Sequence, residues 1–259
     1  MLTNAMTTMD IQTLVDLTRT LGEPQRELVV VGEGNTSFRS SEESFWIKAS
    51  GQGMNNIGPN GFVEVYFEPI LDLIANSPSE RAESQRLMEA AKVDASVTLK
   101  PSVEVTFHAM LLKECDVRYI GHTHPVAVNG ILCSTRAEQF AFNRMFPDEA
   151  VLCGPQSVLV PYLDPGLPLA NGIGDGTRRY MDKYGEAPKV ILLANHGLIA
   201  LGQTPNEVLN ITAMCVKAAQ IFTGAYVVGE PVFLSEAEIM HIYKRPDEQY
   251  RRVRFVTGS

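Results

Sequence analysis

Apolar residues Ile11, Leu14, Val15, Leu17 and Leu21 recur at helical spacing and predict a helix over residues 10–21, with Gly22 as its stop. Leu28-Val29-Val30-Val31 predicts a short strand that ends in the turn Gly32-Glu33-Gly34-Asn35-Thr36-Ser37. Further strands are expected at 45–49, closed by Ser50-Gly51, and at 63–67, where the pattern alternates. Helical composition marks 69–75 and 80–93, with Ser77-Pro78 between them. A helix over 103–113, N-capped near Ser102, sets Glu104 in its first turn and His108 four residues on, along the same face. Residues 117–124 read as strand and 127–132 as a buried helical segment. Val151-Leu152 and Val158-Leu159-Val160 read as strand pieces, 175–184 as helix and 190–193 as strand. Thr204-Pro205-Asn206-Glu207 is a capping box with proline at the first helical position, opening a helix over 208–224. Helices and strands alternate irregularly, so the expected fold is α/β with a central mixed β-sheet flanked by helices. No Gly/Ser/Pro-rich linker divides the chain, which predicts a single domain over 1–259, with its core at about 10–224 and a tail at 225–259.

Chemistry enters where two strand-like contexts carry histidines. His122 and His124, in Gly-His-Thr-His-Pro, project to one side of an extended backbone. His196, in Leu-Leu-Ala-Asn-His-Gly, ends a second apolar run that could bring it beside them. Three protein ligands with an open fourth position are the pattern of a catalytic metal site. Isolated histidines satisfied by hydrogen bonds are the alternative, and that is the expectation for His108; His241 carries no assignment.

Composition narrows the partners. The 259 residues are 45% hydrophobic and 20% charged, enough for one large domain with a substantial core. A net charge of −8 argues against nucleic acid or an anionic membrane as partner. An anionic small molecule would need a local cluster of donors instead. Cys115, Cys133, Cys153 and Cys215 are scattered, without a Cys-x-x-Cys pair, as expected of buried free thiols in a reducing compartment. The first residues lack the pattern of a signal peptide, and the longest apolar stretch, 190–201, is broken by Asn195-His196-Gly197. The expectation is a soluble, cytoplasmic protein.

Weaker pieces surround the histidines. Gly32-Glu33-Gly34-Asn35-Thr36-Ser37 is either a tight turn or an anion cradle, in which small residues expose backbone N–H groups while Asn35, Thr36 and Ser37 donate from side chains. Ser50-Gly51 reads in the same two ways, with Lys48 adding charge. Glu104 at a helix start suits the helix dipole as well as proton transfer.

Taken in order, Asn35-Thr36-Ser37, Lys48-Ala49-Ser50-Gly51, Pro101-Ser102-Val103-Glu104 with His108, His122-Thr123-His124-Pro125, Pro161-Tyr162 with Pro165-Gly166, and Asn195-His196-Gly197 resemble the class II aldolase/adducin family. That family includes fuculose- and rhamnulose-phosphate aldolases, ribulose-phosphate 4-epimerases, related dehydratases and decarboxylases, and non-enzymatic adducin heads. The resemblance spans about residues 10–224, and its wording is nearest the branch in which a rhamnulose-phosphate aldolase is fused to a dehydrogenase, with only the aldolase-like part here. It implies His122, His124 and His196 as ligands of Zn²⁺ or another divalent metal. Glu104 is implied as acid/base and as a metal ligand when substrate is absent. Asn35, Thr36, Lys48, Ser50, Gly51 and Ser102 would form the substrate or phosphate shell. Two departures stand out: Val103 replaces the second serine common before the glutamate, and the region 139–146 offers Phe140, Phe142 and Phe146 where the family's catalytic tyrosine would lie.

The implied reaction is retro-aldol cleavage of a sugar or sugar phosphate through a metal-stabilised enediolate, with Glu104 moving the proton. Epimerase, dehydratase or decarboxylase chemistry is the alternative, and a non-catalytic adducin-like binding module the third reading. The family also implies self-association as a homotetramer, with Tyr243 or Tyr250 of the tail as candidates to complete a neighbour's site.

Overall fold

The computed structural model describes residues 2–77 and 81–257. In chain order it has α1 (Leu2–Leu21), β1 (Asn35–Arg39), β2 (Ser44–Lys48), β3 (Phe62–Tyr66), α2 (Phe67–Asn76), α3 (Arg81–Ala90), α4 (Val105–Glu114), β4 (Tyr119–Thr123), α5 (Val126–Leu132), α6 (Ala137–Phe142), α7 (Pro147–Cys153), β5 (Val158–Val160), α8 (Leu167–Tyr184), β6 (Val190–Leu193), β7 (Gly197–Gly202), α9 (Pro205–Val228), α10 (Glu236–Lys244) and α11 (Pro246–Thr257). The strands form one sheet in the order β3-β2-β1-β4-β7-β6-β5, antiparallel throughout except for the parallel β5–β6 pair. This is the mixed, helix-flanked sheet expected.

Both faces of the sheet are covered, so its strands are apolar on both sides. Phe38, Tyr119, Leu192, Leu198 and Ala200 pack against Leu14 and Leu17 of α1 and Val208, Ile211 and Cys215 of α9. Phe45, Ile47, Ile120, Ile191 and Ile199 pack on the other face against Phe107 and Leu111 of α4 and Leu169 and Ile173 of α8. By length and composition α9 would also suit a membrane span. Here Val208, Ile211 and Cys215 pack in the core while Ile221, Val227 and Val228 are exposed, and Thr204 caps the helix by accepting from the Glu207 N–H.

Several expectations need correction. Residues Leu28 to Val31 are not a strand: Val31 takes a left-handed φ of 57°, the chain turns, and the strand starts at Asn35 inside the expected turn. Val151 and Leu152 lie in α7, because Pro147 starts a helix and Gly154 ends it. The run 190–201 is a hairpin of two strands, β6 and β7, folded at Asn195-His196. Helix α4 begins two residues later than expected, so Glu104 rather than Ser102 holds its N-cap position. The tail is two helices, and α10 packs on α7. Tyr243 is buried there under the Arg252 guanidinium of the same chain, whereas Tyr250 is exposed. Pro78 and Glu80 lie outside the described residues.

Candidate metal centre

The site forms where β1, β4, the β6–β7 turn and the start of α4 meet. In the ladder Asn35 of β1 pairs with His122 of β4, and His122 pairs in turn with Ile199 of β7. His124 follows the end of β4, where its N–H donates to the Leu28 carbonyl. Asn195, a residue type that tolerates the left-handed region, takes φ 56° and turns His196 back toward the pair. Gly197 is required next: a Cβ there would lie 2.6 Å from the Thr123 oxygen and 2.8 Å from the His124 ring. Gly34 (φ 70°) has the same role on the other side, since a Cβ would sit 2.8 Å from the His122 oxygen.

The result is a near-equilateral triangle of imidazoles, with ring centroids 4.8, 5.0 and 5.0 Å apart. Glu104 closes it from above, with one carboxylate oxygen 3.5 Å from His122 Nε2 and the other 3.3 Å from His196 Nε2. Its backbone, at φ −89° and ψ 4°, lies in the sparsely populated bridge region common at active sites. His122 is fully buried, while His124 and His196 leave one side of the triangle open.

Proton placement decides what the cluster is for. His122 Nδ1 lies 3.0 Å from the Leu198 carbonyl, and His124 Nδ1 lies 3.0 Å from the Glu33 carboxylate. Both partners are acceptors, so both Nδ1 atoms carry the proton and both Nε2 atoms present lone pairs. Those two Nε2 atoms are 3.1 Å apart. With the Glu104 oxygens they form a convergence of acceptors beside His196 Nε2, which lies 3.3 Å from Glu104 Oε1, and a cation satisfies it. Burial and the neighbouring imidazoles push the His122 pKa well down, and burial lowers that of His196 against the opposing pull of Glu104. Neutral imidazoles are the form that ligates. The ligand atoms of His122, His124 and His196 all lie within 4.8 Å of one another, so this group is able to hold a metal ion.

Around the triangle, Asn35 donates both amide hydrogens inward, to Glu104 Oε2 (2.7 Å) and Ser102 Oγ (3.2 Å). Ser102 Oγ also accepts the Glu104 N–H at 3.3 Å, which leaves its own hydrogen to donate. Lys48 Nζ donates to the Gly32 and Gln52 carbonyls, at 3.2 and 2.6 Å, and ties the two candidate anion loops together. Burial lowers its pKa to about 8, with Glu104 pulling the other way. Ser50 and Gly51 (φ 77°) sit exposed in the turn after β2, and the Ser50 N–H is held by the Lys100 carbonyl. Thr36 belongs elsewhere. Strand alternation turns it to the opposite face of β1, where its hydroxyl pairs with Thr18 of α1 at 2.5 Å, so it does not join the substrate shell. Val103 is exposed and lines a cavity of about 810 Å³ with Thr106, Leu73, Met88 and Pro165. Glu33 has no signal in the sequence beyond its turn; its partnership with His124 spans 91 positions.

A family model described as the class II aldolase and adducin N-terminal domain matches residues 12–223. The chain belongs to that family. It is 25% identical over 210 residues to the uncharacterized oxidoreductase YuxG of Bacillus subtilis, covering 78% of this chain but only 28% of that relative. It is 25% identical over 218 residues to a methylthioribulose-1-phosphate dehydratase of Leptospira interrogans, covering 80% of this chain and 81% of the relative. It is likewise 25% identical over 199 residues to a 5-deoxy-D-ribulose 1-phosphate aldolase of Bacillus thuringiensis, at 75% and 80% coverage. A solved L-fuculose 1-phosphate aldolase shares the fold, with a TM-score of 0.70, 20% identity, and coverage of 93% and 96%. Class II aldolase relatives are enzymes, and so is this chain; which reaction it performs is a separate question.

Proposed function

We propose that this protein is a divalent-metal-dependent lyase that cleaves a sugar or sugar phosphate by retro-aldol chemistry, with zinc as its ion, as a cytoplasmic homotetramer. The observation that carries the reading is the convergence of two Nε2 lone pairs, the His196 imidazole and the Glu104 carboxylate on one point. Bound there, a divalent ion supplies positive charge that polarises a ketose carbonyl and its neighbouring hydroxyl. His122, His124 and His196 hold it as neutral ligands and so leave that charge uncancelled. Glu104 removes or returns the proton on the carbon beside the carbonyl. Ser102, with its free hydroxyl hydrogen, Lys48, Ser50 and Gly51 receive the anionic end of the substrate. Asn35 is left out of that shell because both of its donors are engaged.

A dehydratase acting on a related ketose phosphate is the second reading. The dehydratase relative aligns over 80% of the chain, and Val103 stands where a second serine would donate. Product analysis separates the two: a free aldehyde marks the aldolase, loss of water the dehydratase.

The test is elemental mass spectrometry beside turnover. About one metal ion per chain is expected, lost in the H122A/H124A double variant. E104Q should keep the metal and lose turnover by at least about 10²-fold, the lower range for a general acid–base group. Full activity in E104Q would sink the role of Glu104, and no specific metal after reloading with zinc would sink the metal-dependent reading and favour a binding module.

A further inference from the structure

His108 is the one buried histidine outside the triangle, fully enclosed on α4 and stacked on Phe107 at 4.6 Å. Its Nδ1 lies 2.7 Å from Ser37 Oγ, and its Nε2 makes a very short contact with Asn35 Oδ1. Asn35 in turn donates to Glu104. Ser37, His108, Asn35 and Glu104 therefore form one continuous hydrogen-bonded chain that ends on the carboxylate assigned to proton transfer.

We infer that His108 is a positioning residue whose Nε2–H tautomer locks the Asn35 amide with its NH₂, not its carbonyl, toward Glu104. The inference rests on the reading of Glu104 given above. Two arrangements of the chain are conceivable. In the first, Ser37 O–H donates to Nδ1, Nε2–H donates to Asn35 Oδ1, and Asn35 Nδ2 donates to Glu104 and Ser102. In the second, every step reverses: Nδ1–H donates to Ser37, the amide flips to donate to Nε2, and Oδ1 faces Glu104. The second sets two acceptors 2.7 Å apart and repels an ionised carboxylate. An imidazolium could donate at both nitrogens, but its partners Ser37 and Asn35 are uncharged and the ring is fully buried, so its charge would be buried unpaired. Of the two neutral arrangements, only the first sets a donor against Glu104 Oε2. It also explains why Asn35 and Ser37, one strand position apart from Thr36, face α4: they link a buried histidine to the reactive group.

The deciding experiment reads the tautomer directly. Long-range ¹H–¹⁵N correlation on zinc-loaded protein with ¹⁵N-labelled histidine, with His108 assigned by its loss in H108Q, should show Nε2 protonated and Nδ1 bare. A protonated Nδ1 would overturn the inference. Kinetics give the second arm. H108L removes both contacts and should lower kcat by about 10–100-fold, the usual scale for a supporting residue, with KM and zinc content little changed. H108Q restores an N–H toward Asn35 and should recover most of that loss. Equal loss in both variants, or none in H108L, overturns the role; if neither variant folds, the wild-type tautomer decides alone, with His108 assigned by through-space contacts to the Phe107 ring stacked on it. A protonated Nε2 together with a fully active E104Q would instead sink the reading of Glu104 and leave the amide orientation standing.

Discussion

Two buried polar clusters in this molecule are built on opposite principles. Arg144, 1% exposed, donates to the carbonyls of Ala141, Asn143, Cys153 and Gly154 and to Ser157 Oγ, and lies 3.8 Å from Glu149. Glu149 accepts the Met145 N–H at 2.9 Å. Donors there meet acceptors, and the cluster is complete as folded. In the histidine triangle acceptors meet acceptors, and each of His122 and His124 has its one proton turned outward to a carbonyl or a carboxylate. The first cluster joins α6, α7 and β5; the second is finished only by something from outside. Polar burial by itself therefore says little about function, and the pairing of donors with acceptors says much.

Breaking the complete cluster gives the largest expected effect. R144M leaves the buried Glu149 carboxylate without its counter-charge and the Cys153 and Gly154 carbonyls without their guanidinium donor, which should lower stability by about 3–5 kcal/mol. Chemical denaturation measures it, and metal content per folded chain should not change. A loss under about 1 kcal/mol would show that water or neighbouring donors can replace the guanidinium.

The open cluster should respond differently. E33Q removes the carboxylate that fixes the His124 tautomer, so Nε2 is less firmly held as the ligating atom. The expected result is a 10–100-fold weaker zinc affinity in competition with a chelator, about 1.4–2.8 kcal/mol, with little change in denaturation of the metal-free protein. Unchanged affinity would mean that Glu33 serves only to brace its turn, through the Val30 N–H it accepts at 2.6 Å.

The contrast also separates what the sequence reveals from what it hides. His122 and His124 were legible because strand periodicity places i and i+2 on one side, and His196 because it ends an apolar run. The α9 start was legible because capping is a local device. The position of β1 was not: its inward residues are Asn35 and Ser37, polar groups that look like a turn, while the more apolar Leu28 to Val31 bends away at a left-handed Val31. Thr36 was misassigned for the same reason, since its face depends on a strand that the pattern conceals. Val151-Leu152 shows the ambiguity of short apolar runs, which strands and buried helices share. The partnerships of Glu33 with His124 and of Asn35 with His108 span 91 and 73 positions and exist only through strand register and the docking of α4.

Lys48 stands between the two clusters and yields the smallest effect. Like Arg144 it satisfies carbonyls, but only two of its three N–H donors are used, and Glu104 acts on its charge. Burial lowers its pKa from 10.5 to about 8. Between those values the unfolded chain holds a proton that the folded chain has released, so this group makes stability rise with pH. From pH 8 to pH 9 the contribution is about 1 kcal/mol. The buried thiols of Cys115, Cys153 and Cys215, pushed up by burial, act in the opposite sense but equally in wild type and K48M. The difference between the two denaturation series should therefore shift toward wild type by about 1 kcal/mol over that interval. Over the same range the KM for a phosphorylated ketose should rise in wild type, as the ammonium is lost, and stay flat in K48M. Parallel series, with a KM equally sensitive to pH in both, would place Lys48 with Arg144 as a purely internal tie.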